Sequence, residues 1–139
     1  MAQVMEIVKE YPPNYEKIKE VLNPPPNAIF AYGEKIYNPS DATIGPDLQA
    51  HEQMHSLQMG TDPVAWWEKY LSDKVFRQAQ EVEAYAIQYL WFKKRTTEKV
   101  YCHALDQFAR HLSTIYKLDI DFHKAHGAIR RKAKEIAAL

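Results

Sequence analysis

The chain has 139 residues, 46% hydrophobic and 12% aromatic, enough apolar mass for one core and too much for a disordered tail protein. Lys and Arg number 18 and so do Asp and Glu, so net charge draws the protein neither to nucleic acid nor to an anionic membrane surface. Its single cysteine, Cys102, excludes an intrachain disulfide framework and suits a reducing compartment.

Glu6, Lys9 and Glu10 interrupt what would have to be the apolar core of a signal peptide. No segment approaches the roughly 18 apolar residues of a membrane span. The expectation is a cytoplasmic protein, one domain over residues 1–139, with no nucleic-acid or membrane partner. The basic cluster at 130–134 fits the solvated face of a last helix.

Residues 14–22 read as a short helix with Ile18, Val21 and Leu22 on its inner face, stopped by prolines at 24, 25 and 26. AIFAYGEKIYN, residues 28–38, reads as two short strands around Gly33 and Glu34, a hairpin. After a loop at 41–45, Pro46 suits the first turn of the helix carrying LQAHEQMHSLQ. A further helix begins near Asp62 or Pro63 and includes Trp66, Trp67, Tyr70 and Leu71; others cover 74–94, 98–116 and 121–138. Prolines are absent after Pro63, so a loop-and-strand first part meets a helical second part, an α+β fold that is mostly α.

In HEQMH the two histidines are four apart, so His51 and His55 share one helix face and can offer ring nitrogens to one ion at the roughly 2.0 Å that zinc requires. Glu52 lies about 100° round from His51, beside that ion, where a general base for an activated water belongs. Chance supplies this spacing in about 2% of shuffled chains of the same composition, so the pattern alone does not decide. More telling is the company: Leu48 and Met59 fall on the same arc and give two imidazoles and a carboxylate nothing to pair with. A metal would satisfy both rings.

A catalytic zinc site generally needs a third protein ligand. QEVEAYA on the helix at 74–94 offers two. With Val75 at 0°, Glu83 falls at about 80°, among Val82, Ala86, Ala79, Leu90 and Phe76, whereas Glu81 falls at about 240° with Arg77, Gln78 and Gln88. Periodicity therefore predicts Glu83 inward and Glu81 in solvent. His103, His111, His123 and His126 form no obvious ligand pair; His111, at the edge of an apolar arc, is the reserve ligand or oxyanion donor. Cys102 reads as structural.

HEQMH followed by an inward glutamate on a later helix resembles the gluzincin branch of zinc metallopeptidases. LQAHEQMHSLQ with QEVEAYA is similar to the small, minimal gluzincin-like domains of bacteria and their phages, over residues 27–90. The resemblance implies a zincin-like core with a hairpin or sheet packed on the motif helix, and an edge strand that pairs with an extended substrate. It implies zinc held by His51, His55 and Glu83, with Glu52 as general base in cleaving a peptide, a protein or a cell-wall peptide. Many gluzincins place an aspartate four residues after the ligand glutamate to hold a histidine ring; here that residue is Ile87, so Gln58 or a backbone carbonyl is expected to do so. Tyr116, in STIYKL, is the candidate oxyanion donor. Two rivals are a zinc-stabilised, non-catalytic structural or interaction protein of phage or bacterial assembly type, and a metal-free helical adaptor.

Overall fold

The computed structural model describes residues 5–139. Its elements run β1 (Glu6–Val8), α1 (Tyr15–Leu22), β2 (Phe30–Tyr32), β3 (Lys35–Tyr37), α2 (Pro46–Met59), α3 (Pro63–Ser72), α4 (Lys74–Arg95), α5 (Glu98–Thr114) and α6 (Phe122–Ala137). The fold is α+β and mainly helical, as the distribution of prolines predicts. No described helix is long and apolar enough to cross a membrane.

Local chemistry sets the boundaries. Asn23 takes a left-handed conformation (φ 46°) and its N–H bonds the Lys19 carbonyl, closing α1 just before the three prolines. Pro46 and Pro63 occupy first-turn positions where no N–H is needed. The Asp62, Asp73 and Asp121 carboxylates accept from the backbone N–H of Ala65, Phe76 and Lys124, capping α3, α4 and α6. Lys117, at φ 55°, follows the end of α5 at Thr114, so Tyr116 sits in the α5–α6 linker and not on the helix that periodicity extends to it.

β2 and β3 form the expected hairpin, antiparallel with Ala31 opposite Ile36, across a two-residue turn in which Gly33 has φ 61°. β1 was not foreseen. It pairs parallel to β3, giving the order β1-β3-β2 and leaving β2 at an edge, against α2. Two apolar clusters flank the molecule's centre. Ile18, Leu22, Phe30, Ala31, Met59 and the aromatic residues of α3 make one; α4, α5 and α6 make the other, around Tyr85, Phe108, Leu112 and Ile129. The contact of α2 with α4 joins them.

Candidate metal centre

His51 and His55 project from α2 to the same point, and both are buried, at 4% and 5% exposure. Facing them on α4 is Glu81, not Glu83. His51 Nε2 lies 3.2 Å from Glu81 Oε1 and His55 Nε2 3.1 Å from Glu81 Oε2. Glu83 is half-buried and accepts a hydrogen bond from Gln58 Nε2 at 2.9 Å, outside the cluster. The expectation of Glu83 beside the two histidines is thus corrected to Glu81. Its physical reason is that the polar stripe of α4, Arg77, Glu81 and Gln88, is buried against its neighbours, while Val75, the origin of the supposed inner arc, is 81% exposed.

Amide side chains fix the ring tautomers. Gln58 Nε2 donates to Gln80 O and Glu83 Oε1, both acceptors, so its Oε1 must be the atom 2.8 Å from His55 Nδ1, and that nitrogen carries the proton. Gln88 Nε2 donates to Asp47 Oδ2 at 2.8 Å, so its Oε1 faces His51 Nδ1 at 3.0 Å and sets the same tautomer. Each neutral ring then turns an Nε2 lone pair toward the oxygens of one carboxylate. Three acceptors cannot face one another in a buried space without a cation or a proton between them.

In the metal-free chain that cation is the proton. Burial lowers the basicity of His55, but the adjacent Glu81 carboxylate outweighs it and the pKa is pushed up to about 9. Burial likewise opposes charge on Glu81, yet attraction and hydrogen bonds from His55 and His51 hold its carboxyl well below the usual range. Two imidazole nitrogens and a carboxylate oxygen, all within 4.8 Å of one another, are also a donor set for a metal ion. Each Nε2 lies 3.1–3.2 Å from a different oxygen of Glu81, near the roughly 3.3 Å between tetrahedral ligands of a zinc ion. Tyr70, kept protonated by burial and by Glu81, donates from its hydroxyl to Glu81 Oε2 at 2.6 Å.

Glu52 stands beside this group at 5% exposure, and its Oε2 has no hydrogen-bond partner. Burial pushes its carboxyl pKa up, against the pull of His51 and His55. It opens into a cavity of about 340 Å³ lined by all four site residues together with Trp66, Trp67, Tyr85, His111 and Tyr116. Tyr116 and Tyr85 share a hydroxyl–hydroxyl bond of 2.7 Å. Two hydroxyls carry two protons and their mutual bond uses one, so the pair retains one to donate. His111 lines the same cavity, its pKa lowered by burial and then by His51.

Of the sequence candidates, the structure brings His51, Glu52, His55, His111 and Tyr116 to one cavity, with Gln58 orienting a ring as expected, and leaves out Glu83. His126 pairs with Asp106 at 3.3 Å, and His103 and His123 are exposed. Sequence reasoning missed Glu81, Gln88, Asp47 and Tyr70. The available signal was the spacing of Arg77, Glu81 and Gln88 at four and seven, a second face on a helix long enough to pack on two sides. No protein-family model matches the chain, nor does any curated protein or solved structure.

Proposed function

We propose that the chain is a zinc-dependent peptide-bond hydrolase of gluzincin type, with His51, His55 and Glu81 as metal ligands and Glu52 as general base. One observation carries the reading: a buried carboxylate with an unpartnered oxygen, Glu52, adjoins two histidine Nε2 atoms converging on Glu81. Zinc bound there supplies a Lewis acid that polarises the scissile carbonyl and brings the pKa of water toward neutrality.

The protein side chains do the rest. Glu52 removes a proton from water as the water oxygen bonds the carbonyl carbon, and the raised pKa suits it to hold that proton. It then gives the proton to the amide nitrogen as the C–N bond breaks, leaving a carboxylate and an amine. The spare proton of the Tyr85–Tyr116 pair is available to the developing oxyanion, an interaction often worth about 10² to 10³ in rate.

The burial of every ligand also favours a second reading, a zinc-stabilised structural or interaction module. Both predict about one zinc per chain. Glu52→Gln separates them: the hydrolase reading expects the variant to keep its zinc and lose peptide hydrolysis by at least about 10²-fold. Equal turnover by the variant, measured by mass spectrometry on a peptide library, would sink the assignment. Zinc-dependent melting with no hydrolysis by wild type would favour the module.

A further inference from the structure

The hairpin register decides what the edge of β2 can offer a substrate. A two-residue turn makes Tyr32 and Lys35 a hydrogen-bonded pair, so the next pair, Ala31 with Ile36, points its backbone groups away from each other. Ile36 turns toward β1, with which it pairs, and Ala31 toward the free edge. A polypeptide bound as an added strand would lie about 4.8 Å away and use that Ala31 carbonyl. In this chain the place is taken: Trp67 Nε1 donates to Ala31 O at 3.1 Å, and the indole is buried. The Gly33 N–H, one amide beyond the strand, is spent on Met59 Sδ at 3.3 Å.

The remaining walls are as close. Ile18 and Leu22 of α1, Pro24, Pro25 and Tyr116 also line the cavity. Its volume of about 340 Å³ lies at the small end of the roughly 300–1,000 Å³ range of small-molecule sites. None of the four polar groups exceeds 5% exposure. We infer that the cavity takes short peptides, about two or three residues long, or amides of similar size, and that the Trp67–Ala31 hydrogen bond excludes extended polypeptides from β2. The inference rests on the hydrolase reading for its chemistry but not for its size limit. It reverses the expectation of an edge strand open to an extended substrate.

A length series tests it. Capped peptides sharing one central bond, from dipeptide to decapeptide, would be offered to the zinc-loaded wild type for hydrolysis. Binding of the same peptides to zinc-loaded Glu52→Gln would be read by tryptophan fluorescence. We expect both readouts to peak at the shortest members and to fall by at least about tenfold at octapeptide length, about the value of one good hydrogen bond. Trp67→Phe keeps an aromatic ring and removes the indole N–H, so it should narrow that gap by improving the long peptides. Long peptides bound and cleaved as well as short ones by wild type would overturn the inference, and an unchanged gap in Trp67→Phe would overturn the role of the indole. A length preference in binding without any hydrolysis leaves the size limit standing and removes the hydrolase reading. Binding at no length overturns the inference whatever the hydrolysis result.

Discussion

Two imidazole rings in this protein have their tautomers set by amides that cannot turn round. Rotating Gln58 by half a turn would aim its oxygen at the Gln80 carbonyl and the Glu83 carboxylate; rotating Gln88 would aim its oxygen at Asp47. Both Nε2 atoms therefore face Glu81, and the two glutamates of QEVEAYA have distinct duties. Glu81 meets the rings, while Glu83 holds Gln58, which in turn holds His55. Substitution by glutamine keeps shape and removes charge. Glu81→Gln should weaken zinc by more than about 100-fold, beyond the 10–100-fold typical of losing an outer partner. Glu83→Gln retains an acceptor for Gln58 and should cost less than about tenfold. Competition against a chromophoric chelator measures both, and the reverse order would return the ligand role to Glu83.

Helix α4 explains why half of the site was legible in the sequence and half was not. HEQMH can be read because both histidines lie within one turn of α2, where spacing alone fixes their common face. Glu81 belongs to another element, and the reading of α4 assumed that a helix has one buried face. α4 has two: Ala86 and Tyr89 pack toward α5 and α6, while Glu81 and Gln88 meet α2. Local signals marked the helix boundaries given in the sequence to within two residues, the largest difference being at the C-terminus of α5, because caps are local chemistry. β1 left no comparable mark, being three residues whose pairing is with a strand far along the chain. The same buried stripe carries Arg77, whose guanidinium donates to Tyr70 O at 2.7 Å, Tyr116 O at 2.9 Å and Lys117 O at 3.3 Å. It thereby ties α3 and the α5–α6 linker to α4, and so places two of the tyrosines around the site. Arg77→Met would orphan three carbonyls and should cost at least about 2 kcal/mol in urea denaturation, with Arg77→Lys between it and wild type. No loss of stability in Arg77→Met would remove this role.

Across the whole molecule, the site lies where the two apolar clusters meet, with its histidines on α2 and its glutamate on α4. A bound metal would therefore cross-link the halves, and a proton does part of the same work without it. In the metal-free protein, His55 has a pKa raised from 6.5 to about 9, so its contribution to stability is full below about 6.5 and lost as pH rises toward 9. Glu81 is depressed from 4.5, so its contribution is present above that value and lost only as pH falls below it. The pair thus favours the metal-free fold most between about pH 4.5 and 6.5. Zinc has the opposite dependence, because it must displace the proton from His55 Nε2, and its apparent affinity should rise by up to about tenfold per pH unit until the ring is neutral. At about 100 times the dissociation constant a ligand adds about 2.7 kcal/mol, a melting shift of several degrees for a chain this size. With total zinc held constant, the gap in melting temperature between zinc-loaded and metal-free protein should therefore widen from pH 6.5 to pH 8.5, as the free protein weakens and the loaded one does not. His55→Gln should abolish both the gap and its pH dependence. A gap that stays constant over this range, or narrows, would mean that proton and metal do not compete for His55 and that the ion is held elsewhere.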